Sequence, residues 1–202
     1  MIRGTQGYEA QASELVERYE SIGFSGRHEA VLHLLPAAPA TVLDIGAGSG
    51  ADAAWLADRG HAVLAVEPTA AMRSRAMALH PSPSIEWLDD SLPALANVVS
   101  RRQRFGLVML TAVWMHLDAD ERRSAMPVVA SLLAPAGVMA MAIRHGPVPS
   151  GRVMFEVDSG ETIELAQACG LRTLLDVNGP SRRAVNRDAG VTWSRLVFTA
   201  AA

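Results

Sequence analysis

Three glycines at alternate positions, Gly46, Gly48 and Gly50, follow the apolar run Thr41-Val42-Leu43-Asp44-Ile45 and precede Ala51-Asp52-Ala53-Ala54-Trp55. Glycines in such a turn let the backbone bend tightly and let a ligand approach the main chain at Gly46, Ala47 and Gly48. A helix that opens there offers free N–H groups and the positive end of its dipole. The spacing alone indicates a nucleotide-like ligand, and Gly46 to Ala51 also fits the looser dinucleotide pattern with alanine last. Carboxylates narrow this. Asp44 stands just before the glycines, where it would repel a pyrophosphate and attract a cationic amino group. Glu67 ends the next apolar run, 21 residues past Gly46, from where a carboxylate can accept both hydroxyls of a ribose. Asp89 and Asp90 end the third run, ahead of Ser91 and Leu92, and either can accept an adenine amino group. Each acid alone reads equally well as a helix cap or a solvated strand end. Acids at three successive strand ends point instead to one crevice at the carboxyl edge of a parallel sheet.

Strands and helices that would hold these residues alternate along the chain. Apolar runs predict strands over 41–45, 61–66, 84–88, 105–110 and 137–143. They are continuous rather than alternating, as in strands buried on both faces of a parallel sheet. Helices are expected over 50–58, 69–79, 91–100, 119–133 and 159–168, with Thr69 and either Asp158 or Ser159 as caps. Residues 8–35 read as two helices broken at Gly23-Phe24-Ser25-Gly26. The last two strands, 171–177 and 191–199, have no helix expected between them, so they pair antiparallel. Their connection carries Arg182, Arg183 and Arg187 and reads as a solvated loop.

Val42 to Gly50 resembles the signature of class I S-adenosylmethionine-dependent methyltransferases. Val66-Glu67-Pro68 with Ala71-Met72 resembles that family's second motif, and Asp89 to Pro93 its adenine motif. Residues 105–117 and 132–137 are similar to its fourth strand and the turn before its fifth. The resemblance covers roughly residues 40–145 well and the remainder by topology. It implies an α/β fold: a Rossmann-like, seven-stranded, mostly parallel sheet with an antiparallel final strand and helices on both faces. Residues 1–202 are expected to form one domain, with 1–38 as a helical lid and 39–202 as the core. S-adenosylmethionine is the implied cofactor. Asp44 and the backbone of Gly46, Ala47, Gly48 and Gly50 would hold its methionine end and Glu67 its ribose, with Pro68 and Met72 of the second motif also in the cofactor site. Asp89 or Asp90, with Ser91 and Leu92, would take the adenine, and Thr111 and Ala112 would lie near the sulfonium. The family's frequent second glycine before Gly137 is Ala136 here, and the adenine motif is one residue shorter than its common form.

Methyl transfer is an in-line displacement, so the protein aligns a nucleophile and, where needed, removes its proton. His116 and His145, beyond the fourth and fifth strands, are the candidate bases. Tyr8, Tyr19, Arg27 and Arg144 are candidates for contact with the acceptor, and Arg144 with His145 could bind an anionic one or form part of a solvated loop. His28, His33, His61 and His80 have no ligand spacing, so no metal is expected.

Net charge is −3, which gives no electrostatic reason to expect nucleic acid or an anionic membrane as a partner. No apolar run reaches the length of a membrane span. Residues 1–7 lack a signal-peptide core, and Cys169 is the single cysteine, read as a buried structural thiol. These features lead to the expectation of a cytoplasmic enzyme, monomeric or homodimeric, with a small-molecule acceptor. The alternatives are a nicotinamide-dependent oxidoreductase, opposed by Asp44 and by the complete lack of lysine, and a non-catalytic S-adenosylmethionine-binding protein.

Overall fold

A computed structural model describes residues 3–201; Met1, Ile2 and Ala202, which the expected domain span includes, lie outside the described residues. The apolar runs form β1 (Thr41–Ile45), β2 (Ala62–Val66), β3 (Ile85–Leu88), β4 (Phe105–Thr111), β5 (Leu133–His145), β6 (Arg172–Pro180) and β7 (Thr192–Thr199). These make one seven-stranded sheet in the order β3-β2-β1-β4-β5-β7-β6. Strands β1 to β5 pair in parallel, and β7 runs antiparallel to both β5 and β6. The helices are α1 (Ala12–Glu20), α2 (Phe24–His28), α3 (Ala51–Ala57), α4 (Ala70–Leu79), α5 (Ala96–Ser100), α6 (Ala119–Ser131), α7 (Ser159–Ala168) and α8 (Ala184–Asp188).

Because strand side chains alternate, the sheet buries two apolar layers. Leu43, Leu64, Val108, Met141 and Phe198 face a core shared with Val98 of α5, Ala125 and Val129 of α6 and Ala166 of α7. Val42, Val63, Leu107, Ala140 and Val197 face the opposite layer, filled by Phe24 of α2 and Ala53 and Leu56 of α3. A third, smaller cluster packs Leu15 and Val16 of α1 over Met72 of α4. Helix α6 starts at a reciprocal cap: Asp118 accepts the Glu121 N–H while Glu121 accepts that of Asp118.

Several boundaries differ from the sequence reading. The N-terminal break falls at Ser21-Ile22-Gly23, and Phe24 opens α2 instead of lying in the break, its ring stacked on Trp55 with centroids 3.9 Å apart. Strand β5 starts four residues before the expected position 137, and the β6–β7 connection holds the short helix α8. Thr69 occupies the α4 N-cap position without a side-chain cap bond, whereas Asp158 caps α7 through the Gly160 N–H. Cys169 sits at the end of α7, half-buried instead of buried. No helix among the described residues is long and apolar enough to cross a membrane.

Candidate active site

The carboxyl ends of β1, β2, β4 and β5 open into a cavity of about 610 Å³. Its floor is the turn after β1. The N–H groups of Gly46 and Ala47 both donate to Val66 O, at 2.8 and 2.9 Å, which ties the turn to the end of β2. Gly46 has φ +70°, and a Cβ there would lie 2.5 Å from Val113 Cγ2, so the position excludes every other residue on two grounds.

Glu67 lines the cavity beside this turn. Its Oε2 accepts the Gly48 N–H at 2.9 Å and its Oε1 the Thr69 N–H at 2.8 Å, so each oxygen keeps a lone pair for a further donor. Burial raises its pKa, and these N–H groups oppose the rise. Asp90, Ser91 and Leu92 form the wall beyond β3. Asp90 accepts the N–H of Ser91 at 2.8 Å and of Val98 at 2.9 Å, which orients its carboxylate.

Asp44 is 2% exposed, and its Oδ2 has no hydrogen-bond partner. Burial, then the neighbouring Asp52, raise its pKa well above the ordinary carboxylate range. Asp52, on α3, is the opposite case. Burial alone would raise its pKa, but it is held low by the other groups around it. Its Oδ2 meets His28 Nε2 at 2.7 Å and accepts the Thr111 hydroxyl at 3.1 Å, and its Oδ1 accepts Arg27 Nη1 at 2.5 Å. The same guanidinium donates through Nη2 to Tyr19 O at 2.9 Å and Ile22 O at 2.8 Å. Arg27 thus borders the cavity as a clamp between α1, α2 and α3, not as a free cation.

On the far wall, His116 Nδ1 lies 2.7 Å from Val153 O, and its Nε2 lies 3.0 Å from the Tyr8 hydroxyl. A carbonyl only accepts, so Nδ1 carries the proton and Nε2 receives the Tyr8 O–H. Burial lowers the His116 pKa and raises that of Tyr8. Arg152 lies over the Tyr8 ring, 3.9 Å from its centroid.

Most of the residues expected from sequence border this one cavity: Tyr8, Tyr19, Arg27, Asp44, Gly46, Ala47, Gly48, Glu67, Pro68, Asp90, Ser91, Leu92, Thr111, Ala112, His116 and Arg144. Four do not. His145 follows Ile143 in the β5 alternation, so it projects from the other face and meets Ser194 Oγ at 2.7 Å. Asp89 points outward, 66% exposed, and pairs with Arg73 at 2.9 Å. Met72 is fully buried beneath α1. Gly50 turns its Cα toward Trp87, where a Cβ would approach the ring to 2.8 Å, so it shapes the turn without lining the cavity. Asp52, His28, Arg152, Trp193 and Arg195 were not anticipated. Only Asp52 left a signal: an acid two residues past Gly50 amid alanines, on the helix that opens at the site. Among the described residues, no three His, Cys, Asp or Glu side chains cluster as a metal site.

Residues 42–137 match the methyltransferase domain family. Among the solved structures that carry the same fold are three methyltransferases. One is the 1,6-didemethyltoxoflavin-N1-methyltransferase of Burkholderia thailandensis, with bound 1,6-didemethyltoxoflavin and S-adenosylhomocysteine, at 21% identity and TM-score 0.68, covering 96% of this chain and 90% of that one. The N-methyltransferase NodS of Bradyrhizobium japonicum, in complex with S-adenosylhomocysteine, has 17% identity and TM-score 0.68, covering 94% of this chain and 98% of that one. A TehB-like methyltransferase of Corynebacterium glutamicum has 20% identity and TM-score 0.65, covering 95% and 98% respectively. No curated protein matches the sequence significantly. Over residues 42–137 the chain thus carries a methyltransferase domain, and the whole has the fold of these S-adenosylmethionine-dependent methyltransferases.

Proposed function

We propose that the protein transfers a methyl group from S-adenosylmethionine to a small-molecule acceptor and that the cofactor lies along the acidic end of the cavity. The observation that carries this reading is the unpartnered Oδ2 of buried Asp44. A buried carboxylate without a donor is unfavourable, and an ammonium group corrects it. In this reading Asp44 holds the cofactor's amino group, Gly46 to Gly48 present their backbone to its methionine end, and Glu67 accepts from the ribose. Asp90 faces the adenine in place of Asp89. Thr111 and Ala112 flank the reacting centre. When bound, the cofactor supplies an electrophilic methyl carbon and a neutral thioether leaving group. Residues 1–38 act as a lid on the core of 39–202, since Tyr8, Gln11, Glu14, Arg18 and Tyr19 all border the cavity. Its volume of about 610 Å³ suits a cofactor with a small acceptor. The Burkholderia neighbour, which holds 1,6-didemethyltoxoflavin, supports an acceptor of that size. Its single cysteine allows no internal disulfide, which is compatible with the cytoplasmic setting of this reading, and a monomer or homodimer is part of the same proposal. Titration calorimetry with S-adenosylmethionine, S-adenosylhomocysteine and NAD tests the cofactor. Binding of the first two without NAD is expected, and binding of NAD alone reverses the reading. Transfer to no member of a broad small-molecule library, with cofactor still bound, would favour a non-catalytic role.

Proton removal falls to Tyr8 and His116. The phenol gives its proton to Nε2 as it takes one from the acceptor, and the Val153 carbonyl fixes the tautomer that leaves Nε2 free. Burial lowers the His116 pKa, which favours the neutral imidazole with Nε2 free to accept a proton. Nitrogen-detected NMR is expected to show a titration midpoint below the ordinary 6.5, with the proton on Nδ1 in the neutral form. A midpoint at or above 6.5, or a proton on Nε2, removes His116 from the role of base.

A further inference from the structure

The end of the cavity opposite Asp44 has the reverse charge. Asp44 is in register with Met109 on β4, and Thr111, two residues on, pairs with Ala142 on β5. Ala142 in turn pairs with Arg195 on β7, and Arg144 pairs with Trp193. Register partners, and residues two apart on a strand, share a face. Thr111, Ala142, Arg144, Trp193 and Arg195 therefore project from the same face as Asp44, and all border the cavity. Across this row the lining passes from the carboxylates beyond β1, β2 and β3 to guanidinium groups on β5 and β7. Arg152, from the connection after β5, joins them.

These arginines lack acidic partners. Arg144 Nη1 is buried and makes no hydrogen bond among the described residues. Arg195 donates to Arg27 O at 3.3 Å, and Arg152 donates to Gln6 O at 3.4 Å and Gln11 Oε1 at 2.8 Å, all neutral oxygens. The carboxylates that could neutralise this wall are engaged elsewhere: Asp52 with Arg27 and His28, and Glu29 with Arg182. Burial pulls the pKa of Arg144 and of Arg195 down, as it does for cations that lack a counter-charge. A partly desolvated guanidinium with open donors is a geometric match for a carboxylate or phosphate.

We propose that the methyl acceptor is an organic anion, its carboxylate or phosphate seated on Arg144 and Arg195, its body against Trp193 and its nucleophilic atom toward Thr111 and Tyr8. The inference rests on the methyltransferase reading and adds the chemical class of the acceptor. Its test uses the full chain saturated with S-adenosylhomocysteine, titrated calorimetrically with 4-hydroxybenzoate, phenyl phosphate and the neutral 4-hydroxybenzamide. At least one anion is expected to bind about 10-fold or more tightly than the amide. Arg144→Gln and Arg195→Gln are each expected to weaken that anion by about 10- to 100-fold. S-adenosylhomocysteine affinity should stay within about twofold in both variants, which also reports that they are folded. Equal binding of anion and amide, no detectable binding of either anion, or variants that bind the anion like the wild type would overturn the proposal. So would a loss of S-adenosylhomocysteine affinity in step with that of the anion, which would assign the guanidinium groups to the cofactor's own carboxylate. A wild-type protein that fails to bind S-adenosylhomocysteine, seen before any anion is added, overturns the methyltransferase reading itself and this inference with it.

Discussion

Asp44→Asn is expected to weaken S-adenosylmethionine binding by about 10- to 100-fold while making the ligand-free protein more stable at neutral pH. The two effects have one source. Oδ2 of the wild-type carboxylate is buried without a donor, close to Asp52, and its pKa is raised by burial first and by that second acid next. The folded carboxyl therefore keeps its proton to higher pH than the unfolded one, whose pKa is about 3.9. Stability contributed by that proton is complete below about pH 4 and is lost as pH rises through the folded-state pKa. An amide has no such penalty, so the melting temperature of the variant should pull ahead of the wild type as pH increases. The cofactor's ammonium reverses the preference by stabilising the ionised form. Wild-type affinity should thus increase with pH, with a proton released on binding, and the variant should show neither. Calorimetry in two buffers of different ionisation enthalpy measures the released proton. Equal affinity in wild type and variant would remove Asp44 from the cofactor site.

What the sequence made legible follows from how each residue type is placed. The residue that ends a strand and the glycines that follow it must lie at the sheet's carboxyl edge, whatever the side chains do. Asp44, Gly46, Gly48 and Glu67 could therefore be assigned from their order alone. The choice between Arg144 and His145 depends on something else, the parity of β5. Adjacent strand residues face opposite sides, and an apolar run does not reveal which side holds the crevice. The register Arg144↔Trp193 decides it, and that pairing joins residues 49 positions apart in a connection with no turn signature. Asp89 and Asp90 posed a similar choice one residue past a strand end, decided by the Val98 N–H that draws Asp90 inward. The basic wall was hidden for the same reason. Its arginines come from β5, β7 and the connection after β5; Arg144 alone could be read as a contact for an anionic acceptor, and nothing in the sequence brings Arg152 and Arg195 to its side.

Asp52→Ala is expected to lower stability by about 3–5 kcal/mol, the usual consequence of removing one partner from a buried ion pair. For a chain of this size that corresponds to a fall of roughly 6–20 °C in melting temperature. Asp52 is 4% exposed and is the shared acceptor for the buried His28, for Arg27 and for Thr111, so its removal strands three donors at once. The sign of the pH dependence is opposite to that of Asp44. Burial raises the Asp52 pKa, but His28, Arg27 and Thr111 prevail and hold it below the ordinary range. Its contribution is therefore present above the unfolded pKa and is lost as pH falls toward the lower folded value, and wild type and variant should converge in acid. Thermal melts from pH 3 to 8 would show this, and parallel curves would exclude an ionised Asp52. The same knot joins the N-terminal helices to the site. Arg27 holds Asp52 with one nitrogen and the carbonyls of Tyr19 and Ile22 with the other. The combined loss in Arg27→Ala with Asp52→Ala should fall short of the sum of the two, because both break one contact. Loss of the knot also relieves Asp44 of its acidic neighbour, so its pKa falls in the Asp52 variant. The ionisation of Asp44 is thereby tied to α3 and, through Arg27, to the N-terminal helices.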